Sequence, residues 1–271
     1  MSGFIANARM YAVAPAAEAA WAELLARVAA EAGLRLPYLP YPAPQPLEAL
    51  WARPDLGAVM MCGYPMARGL ADVIPLAAPI PAADWASGRA VYRSDLIVRQ
   101  DAPFRSLADT FGHRTGWTVP HSHSGFNAWR HHLLPYRSPE RSRLFAESRG
   151  DMVTARRILD AVVARDIDIG PLDAYWHLLL RRHRPDLTAS VRVLESTALV
   201  PAPAFVCARG MPQADALRLR SAFLSAASRP WFAQCATPLC LAGFAAVAVA
   251  DYAITLAWDT AARLADYPVP A

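Results

Sequence analysis

Thr115-Gly116-Trp117-Thr118-Val119-Pro120-His121-Ser122-His123-Ser124-Gly125-Phe126-Asn127-Ala128-Trp129-Arg130-His131-His132-Leu133 is the stretch around which the chain is organised. It reads as a short strand, a polar turn and a helix. Thr115 to Val119 carries β-formers, and Pro120 stops the strand. Ser122 and Ser124 are N-cap residue types, and Gly125 allows close backbone approach to a ligand. Phe126, Trp129 and Leu133 recur at helical spacing. A helix start leaves N–H groups unpaired and carries partial positive charge, and hydroxyls placed there add donors, so the turn suits an anion. An ordinary serine cap on a surface helix fits the same residues.

Outward from this turn the chain alternates. Phe4 to Tyr11 reads as a first strand, Ala16 to Ala32 as an amphipathic helix with Trp21, Leu24, Leu25 and Val28 on one face, stopped by Gly33. Leu34 to Leu39 reads as a strand, Leu47 to Trp51 as a short helix, Leu56 to Cys62 as a strand buried on both faces, and Val73 to Ala78 as another strand. This β-α-β-α-β order implies doubly wound α/β architecture. Ala90 to Val98 is strand-like and suited to crossing into a second lobe. Arg137 to Gly150 reads as exposed, Met152 to Arg165 as helix, and Ile167 to Asp173 as a strand ending on a carboxylate. Ala174 to His183 reads as helix, Val191 to Glu195 as the return crossing, Ala204 to Ala208 as strand and Gln213 to Ala227 as helix.

Composition bounds the class. The chain has 271 residues, 55% hydrophobic and 18% charged, which makes it globular rather than disordered. The 27 Lys and Arg against 23 Asp and Glu are scattered without a basic run, so no nucleic-acid partner is expected. The apolar run Leu239 to Ala250 is too short to span a bilayer and reads as a buried segment. Cys62, Cys207, Cys235 and Cys240 have no metal-type spacing with histidine; Cys235 and Cys240 suit pairing in an oxidising compartment, or all four are buried free thiols. Met1 to Met10 contains Asn7 and Arg9, and Pro15 and Glu18 interrupt the next ten residues, unlike a secretory signal. Either a signal has been removed or the protein works in the cytoplasm.

The order Met10-Tyr11, Pro54-Asp55-Leu56, Cys62-Gly63-Tyr64-Pro65, Tyr92-Arg93-Ser94, Ser122-His123-Ser124-Gly125-Phe126-Asn127 and Leu172-Asp173-Ala174 with Trp176 resembles the PhnD-like family. These are the phosphate, phosphite and phosphonate substrate-binding components of ABC transporters. Arg182-His183-Arg184-Pro185-Asp186-Leu187 and Pro201-Ala202-Pro203 resemble its divergent members. The resemblance covers nearly the whole chain. It implies a two-lobed type II periplasmic-binding-protein fold with mixed sheets joined by two crossing strands. Lobe 1 is then expected from residues 1–92 plus 196–271 and lobe 2 from 93–195, with a ligand cleft between them that closes on a small oxyanion.

The same resemblance assigns roles. Ser122, His123, Ser124 and Gly125 match the serine/threonine-rich turn that grips the anionic head. Tyr64 and Tyr92 match cleft-lining aromatics, and Tyr11 ends the first strand, where a side chain faces the cleft. Ser94 lies beside the expected hinge. Asp173 matches an acidic residue that accepts a bond from a protonated ligand oxygen or an amine; a carboxylate cap on the following helix is the competing role, and the two are compatible. For the tyrosines the competing role is core packing with a satisfied hydroxyl. One departure is Ala155, standing where many members have the histidine of a Gly-x-His; His123 is the residue placed to compensate. The implied partners are a small anionic ligand and a membrane permease. The implied state is a monomer or weak dimer in the periplasm, with no cofactor and no metal. A cytoplasmic ligand sensor, or an enzyme on the same fold using Asp173 and His123 as an acid–base pair, are the alternatives. No nucleophile elbow or Gly-rich nucleotide loop supports an enzyme.

Overall fold

In a computed structural model of the chain, residues 3–271 are described. The strands are β1 (Ile5–Asn7), β2 (Leu56–Met61), β3 (Val73–Pro81), β4 (Val91–Tyr92), β5 (Ser94–Arg99), β6 (Arg114–Gly116), β7 (Glu147–Arg149), β8 (Ile169–Asp173), β9 (Val191–Ser196), β10 (Val200–Pro201), β11 (Ala204–Ala208) and β12 (Leu241–Ala245). The α-helices are α1 (Pro15–Glu31), α2 (Leu47–Trp51), α3 (Gly63–Ala67), α4 (Ala128–Leu133), α5 (Ala155–Val163), α6 (Ala174–His183), α7 (Pro185–Thr188), α8 (Gln213–Ser225), α9 (Phe232–Ala236) and α10 (Ala253–Leu264). They form two compact units. Unit 1 takes the chain up to Tyr92, with Leu178–His183 and Pro201–Ala253; unit 2 takes Arg93–His177, Arg184–Val200 and Ile254–Ala271.

Unit 1 is a five-stranded sheet in the order β1-β2-β11-β3-β12. β1 and β2 are parallel, while β11 runs antiparallel between β2 and β3. Every residue of β2 and β11 is buried, as expected of central strands covered on both faces. Pro15 opens α1, where its missing N–H costs nothing. The α1 face made by Ala17, Trp21, Leu24, Leu25 and Val28 is buried, and the Trp21 ring meets Phe205 of β11 at 5.6 Å. Fully burying each such leucine or valine contributes about 1.5–3 kcal/mol. Gly33, at φ +67°, ends the helix in the left-handed region.

Several sequence expectations change here. β1 is only three residues long, and Arg9 to Tyr11 coil into a 3₁₀ turn. Leu34 to Leu39 makes no strand; its one ladder contact is the Ala6–Tyr38 bridge, because Pro37 and Pro40 remove N–H donors on either side. The run Leu239 to Ala250 divides: β12 takes Leu241–Ala245, and Ala248 to Asp251 are exposed.

Unit 2 is a second five-stranded sheet, ordered β7-β6-β8-β5-β9. β6 is parallel to β7 and β8, and β5 is antiparallel to β8 and β9. Its core gathers Leu96, Trp117, Phe126, Trp129, Leu133, Phe145, Ile169 and Tyr267. The segment 137–150, expected to be exposed, supplies β7 and the buried Leu144 and Phe145. α5 begins at Ala155, three residues later than its apolar pattern suggests. Thr154 caps it by accepting from Arg157 N–H at 3.2 Å.

The C-terminal stretch, expected with lobe 1, clusters with unit 2 from Ile254 onward. The physical reason is polar and apolar docking along α10 and beyond. Asp259 pairs with the buried Arg130, Thr255 O accepts from Asn127, and Tyr267 enters the core. Among the described residues no helix is long and apolar enough to cross a membrane. The four cysteines are free.

Candidate functional site

In unit 2, the chain leaving β6 turns at Val119–Ser122, where Ser122 N–H donates to Val119 O at 2.9 Å. Ser122 is extended and caps the helical turn after it: its Oγ accepts from Gly125 N–H at 3.0 Å. That turn, His123–Asn127, is a π-helix, closed by Asn127 N–H to Ser122 O at 3.1 Å, and it runs directly into α4. Such wide turns recur at functional sites. Because Ser122 Oγ accepts the cap bond, its own proton stays available to an acceptor. Ser124 is half-buried; its carbonyl takes a 2.8 Å bond from Ser94 Oγ, and its hydroxyl bonds no other described residue.

Gly125 has a packing reason in addition to its expected role. A Cβ there would lie 2.0 Å from Thr118 Oγ1, and Thr118 N–H donates to Gly125 O at 3.0 Å. The close approach at this glycine is that of the returning strand end.

Ser94 is fully buried. It pairs in register with Asp173 across β5 and β8, and its N–H donates to Thr197 Oγ1 at 2.9 Å. Asp173 is 8% exposed, and its Oδ1 accepts from Tyr175 N–H at 2.9 Å and Trp176 N–H at 3.0 Å, capping α6. The helix start after β6 and the helix start after β8 thus sit side by side at the carboxyl ends of parallel strands. Ligands of open α/β sheets bind outside those ends.

His123 is 1% exposed, inside unit 2. Burial, and then the neighbouring His131, push its imidazole down to about 3, so the ring is neutral. It stacks on Trp258 of α10 at 5.3 Å, and its Nδ1 lies 3.2 Å from Asn127 Nδ2. Ala155 is the first residue of α5.

In unit 1, Tyr11 follows β1 and Tyr64 follows β2, again at carboxyl ends of parallel strands. Tyr11, Tyr64 and Tyr92 are each 1–2% exposed. Tyr92 Oη lies 3.8 Å from Cys62 Sγ, and the Arg68 guanidinium sits over the Tyr64 ring at 5.4 Å. Sequence reasoning passed over Asn127, Thr118, Thr255 and Trp258. Only Asn127 carried a signal, as the last residue of the Ser122–Asn127 motif. Among the described residues no cluster suited to a metal ion is present.

No curated protein matches the sequence. A binding protein component of an ABC phosphonate transporter from Pseudomonas aeruginosa is 16% identical, with 97% of this chain and 88% of that one covered and a TM-score of 0.78. PhnD1 from Prochlorococcus marinus, in complex with methylphosphonate, is 12% identical over 96% and 98% of the two chains, with a TM-score of 0.77. A Xanthomonas citri protein bound to ATP is 18% identical over 98% of each, with a TM-score of 0.66. These structures share the type II periplasmic-binding-protein fold. Residues 12–252 match the family model described as ABC transporter, phosphonate, periplasmic substrate-binding protein, and the chain belongs to that family, whose members bind solutes for transport rather than catalyse reactions.

Proposed function

We propose that this solute-binding protein takes a small phosphate- or phosphonate-like oxyanion at the Ser122–Gly125 turn. The observation that carries the reading is the Ser122-capped helix start lying beside the Asp173-capped one at the carboxyl ends of β6 and β8. An anion there meets helix-start N–H groups, the Ser122 proton and the Ser124 hydroxyl. Asp173 accepts from a protonated ligand oxygen or an amine while still capping α6. We propose Tyr11, Tyr64 and Tyr92 as further ligand contacts, and Ser94 acts by holding the Ser124 carbonyl. The methylphosphonate bound by the Prochlorococcus protein supports the ligand class. We further propose a periplasmic location, delivery to a membrane permease, and a monomer or weak dimer.

The test is a thermal-shift panel of phosphate, phosphite, methylphosphonate, alkylsulfonates and carboxylates. A ligand with Kd near 1 µM, present at 100 µM, adds roughly 2.7 kcal/mol of stability. Stabilisation by phosphorus oxyanions is expected. Stabilisation by carboxylates alone overturns the ligand class.

A further inference from the structure

The π turn brings His123 and Asn127 onto one face, and Asn127 is fully buried. Two partners of the Asn127 amide fix its orientation. Arg130 Nη2, which can only donate, lies 3.3 Å from Oδ1, and Thr255 O, which can only accept, lies 2.8 Å from Nδ2. The amide cannot be flipped without losing both. Its second Nδ2 hydrogen therefore points to His123 Nδ1 at 3.2 Å, and that nitrogen must be the acceptor. The ring proton of the neutral imidazole then sits on Nε2. α10 supplies both Thr255 and Trp258, and Asp259 of the same helix pairs with Arg130. The charged and titratable groups around the ring are Arg130 and His131 on its own helix, Asp259 on α10, and Asp173 at the end of β8, which packs on the turn.

We propose that Asn127 is a positioning residue for anion binding: through it α10 holds His123 as the neutral Nε2-protonated tautomer, so that the turn meets its ligand with fixed dipoles and no titrating charge. This rests on the reading that the Ser122–Gly125 turn holds the anion. A His123 that gained a proton would set an N–H against the Asn127 NH₂ group and loosen the turn from α10.

The experiment uses the full chain with ¹⁵N-labelled histidine, the His123 signals being identified by their loss in His123→Gln. In the wild type we expect a protonated Nε2 and an unprotonated Nδ1, unchanged between about pH 5.5 and about pH 8. Asn127→Asp can donate to neither Thr255 O nor His123, so the His123 proton should move to Nδ1 or the ring should become imidazolium. Methylphosphonate Kd is then measured for wild type and Asn127→Asp at both pH values; taking their ratio cancels the ligand's own titration. The variant should gain on the wild type by about tenfold at the lower pH, as a positive charge appears in the turn. A wild-type His123 protonated on Nδ1 overturns the proposal even if the variant does not fold, and so does a Kd ratio that stays constant with pH. Failure of the underlying reading shows separately, as unchanged methylphosphonate affinity in Ser124→Ala.

Discussion

Ser122 and Ser124 sit two residues apart in the turn yet stand in different bonding situations, so their alanine variants should separate ligand binding from helix capping. Ser124 is half-buried and its hydroxyl bonds no other described residue, while the bond that anchors the residue runs from Ser94 Oγ to its carbonyl. Ser124→Ala leaves that bond in place and should leave folding stability within about 0.5 kcal/mol of wild type. If the hydroxyl donates to a charged ligand oxygen, its loss removes about 1.5–3 kcal/mol of binding free energy, or about ten- to a hundredfold in Kd. Ser122 Oγ instead accepts the Gly125 N–H at 3.0 Å. Ser122→Ala should cost about 1 kcal/mol of stability, roughly 2–4 °C in Tm, besides any loss of affinity. Isothermal titration with methylphosphonate and thermal unfolding, run on the same preparations, give both quantities. If Ser124→Ala keeps wild-type Kd for a ligand that the wild type binds, the turn is a helix cap and the anion lies elsewhere.

The same geometry sets three further outcomes. Gly125→Ala should destabilise unit 2 by about 1–3 kcal/mol, since its Cβ would lie 2.0 Å from Thr118 Oγ1, and Thr118→Ala in the same chain should recover part of that loss in chemical denaturation. His123 is held neutral with its folded value down to about 3, so its contribution to stability is complete above the unfolded value of about 6.5 and is lost as pH falls from there toward 3. His123→Gln should flatten the fall of Tm over that window, and an unchanged slope would mean that the ring is not held neutral by burial. Burial pushes the Asp168 carboxyl up, but bonds from Arg114 Nε and from its backbone N–H outweigh this and hold it below the usual carboxylate range. Stability from this pair is present above about pH 4 and is lost on further acidification, so Asp168→Asn should cost stability at neutral pH and little in strong acid.

The sequence by itself determined the features that depend on neighbours in the chain. The apolar face of α1, the Gly33 stop, the all-buried runs of β2 and β11 and the α6 helix behind Asp173 come from periodicity, capping and side-chain size. The turn at Ser122–Gly125 was legible for the same reason: a proline, two serines and a glycine ahead of a helical apolar pattern describe a local event. The features that only the tertiary structure decided are non-local. β11 enters between β2 and β3 across more than a hundred residues of chain, which makes the sheet mixed, and nothing near Ala204 specifies those partners. The tyrosines read as ligand contacts are almost wholly buried, which the residue type alone does not dictate. α10 docks on the turn and on α4 through Thr255, Trp258 and Asp259, more than a hundred residues from Asn127, His123 and Arg130. The protonation state of His123 belongs to the same class: an imidazole becomes a fixed neutral donor only when burial and an amide of fixed orientation surround it, and both come from parts of the chain that meet only on folding.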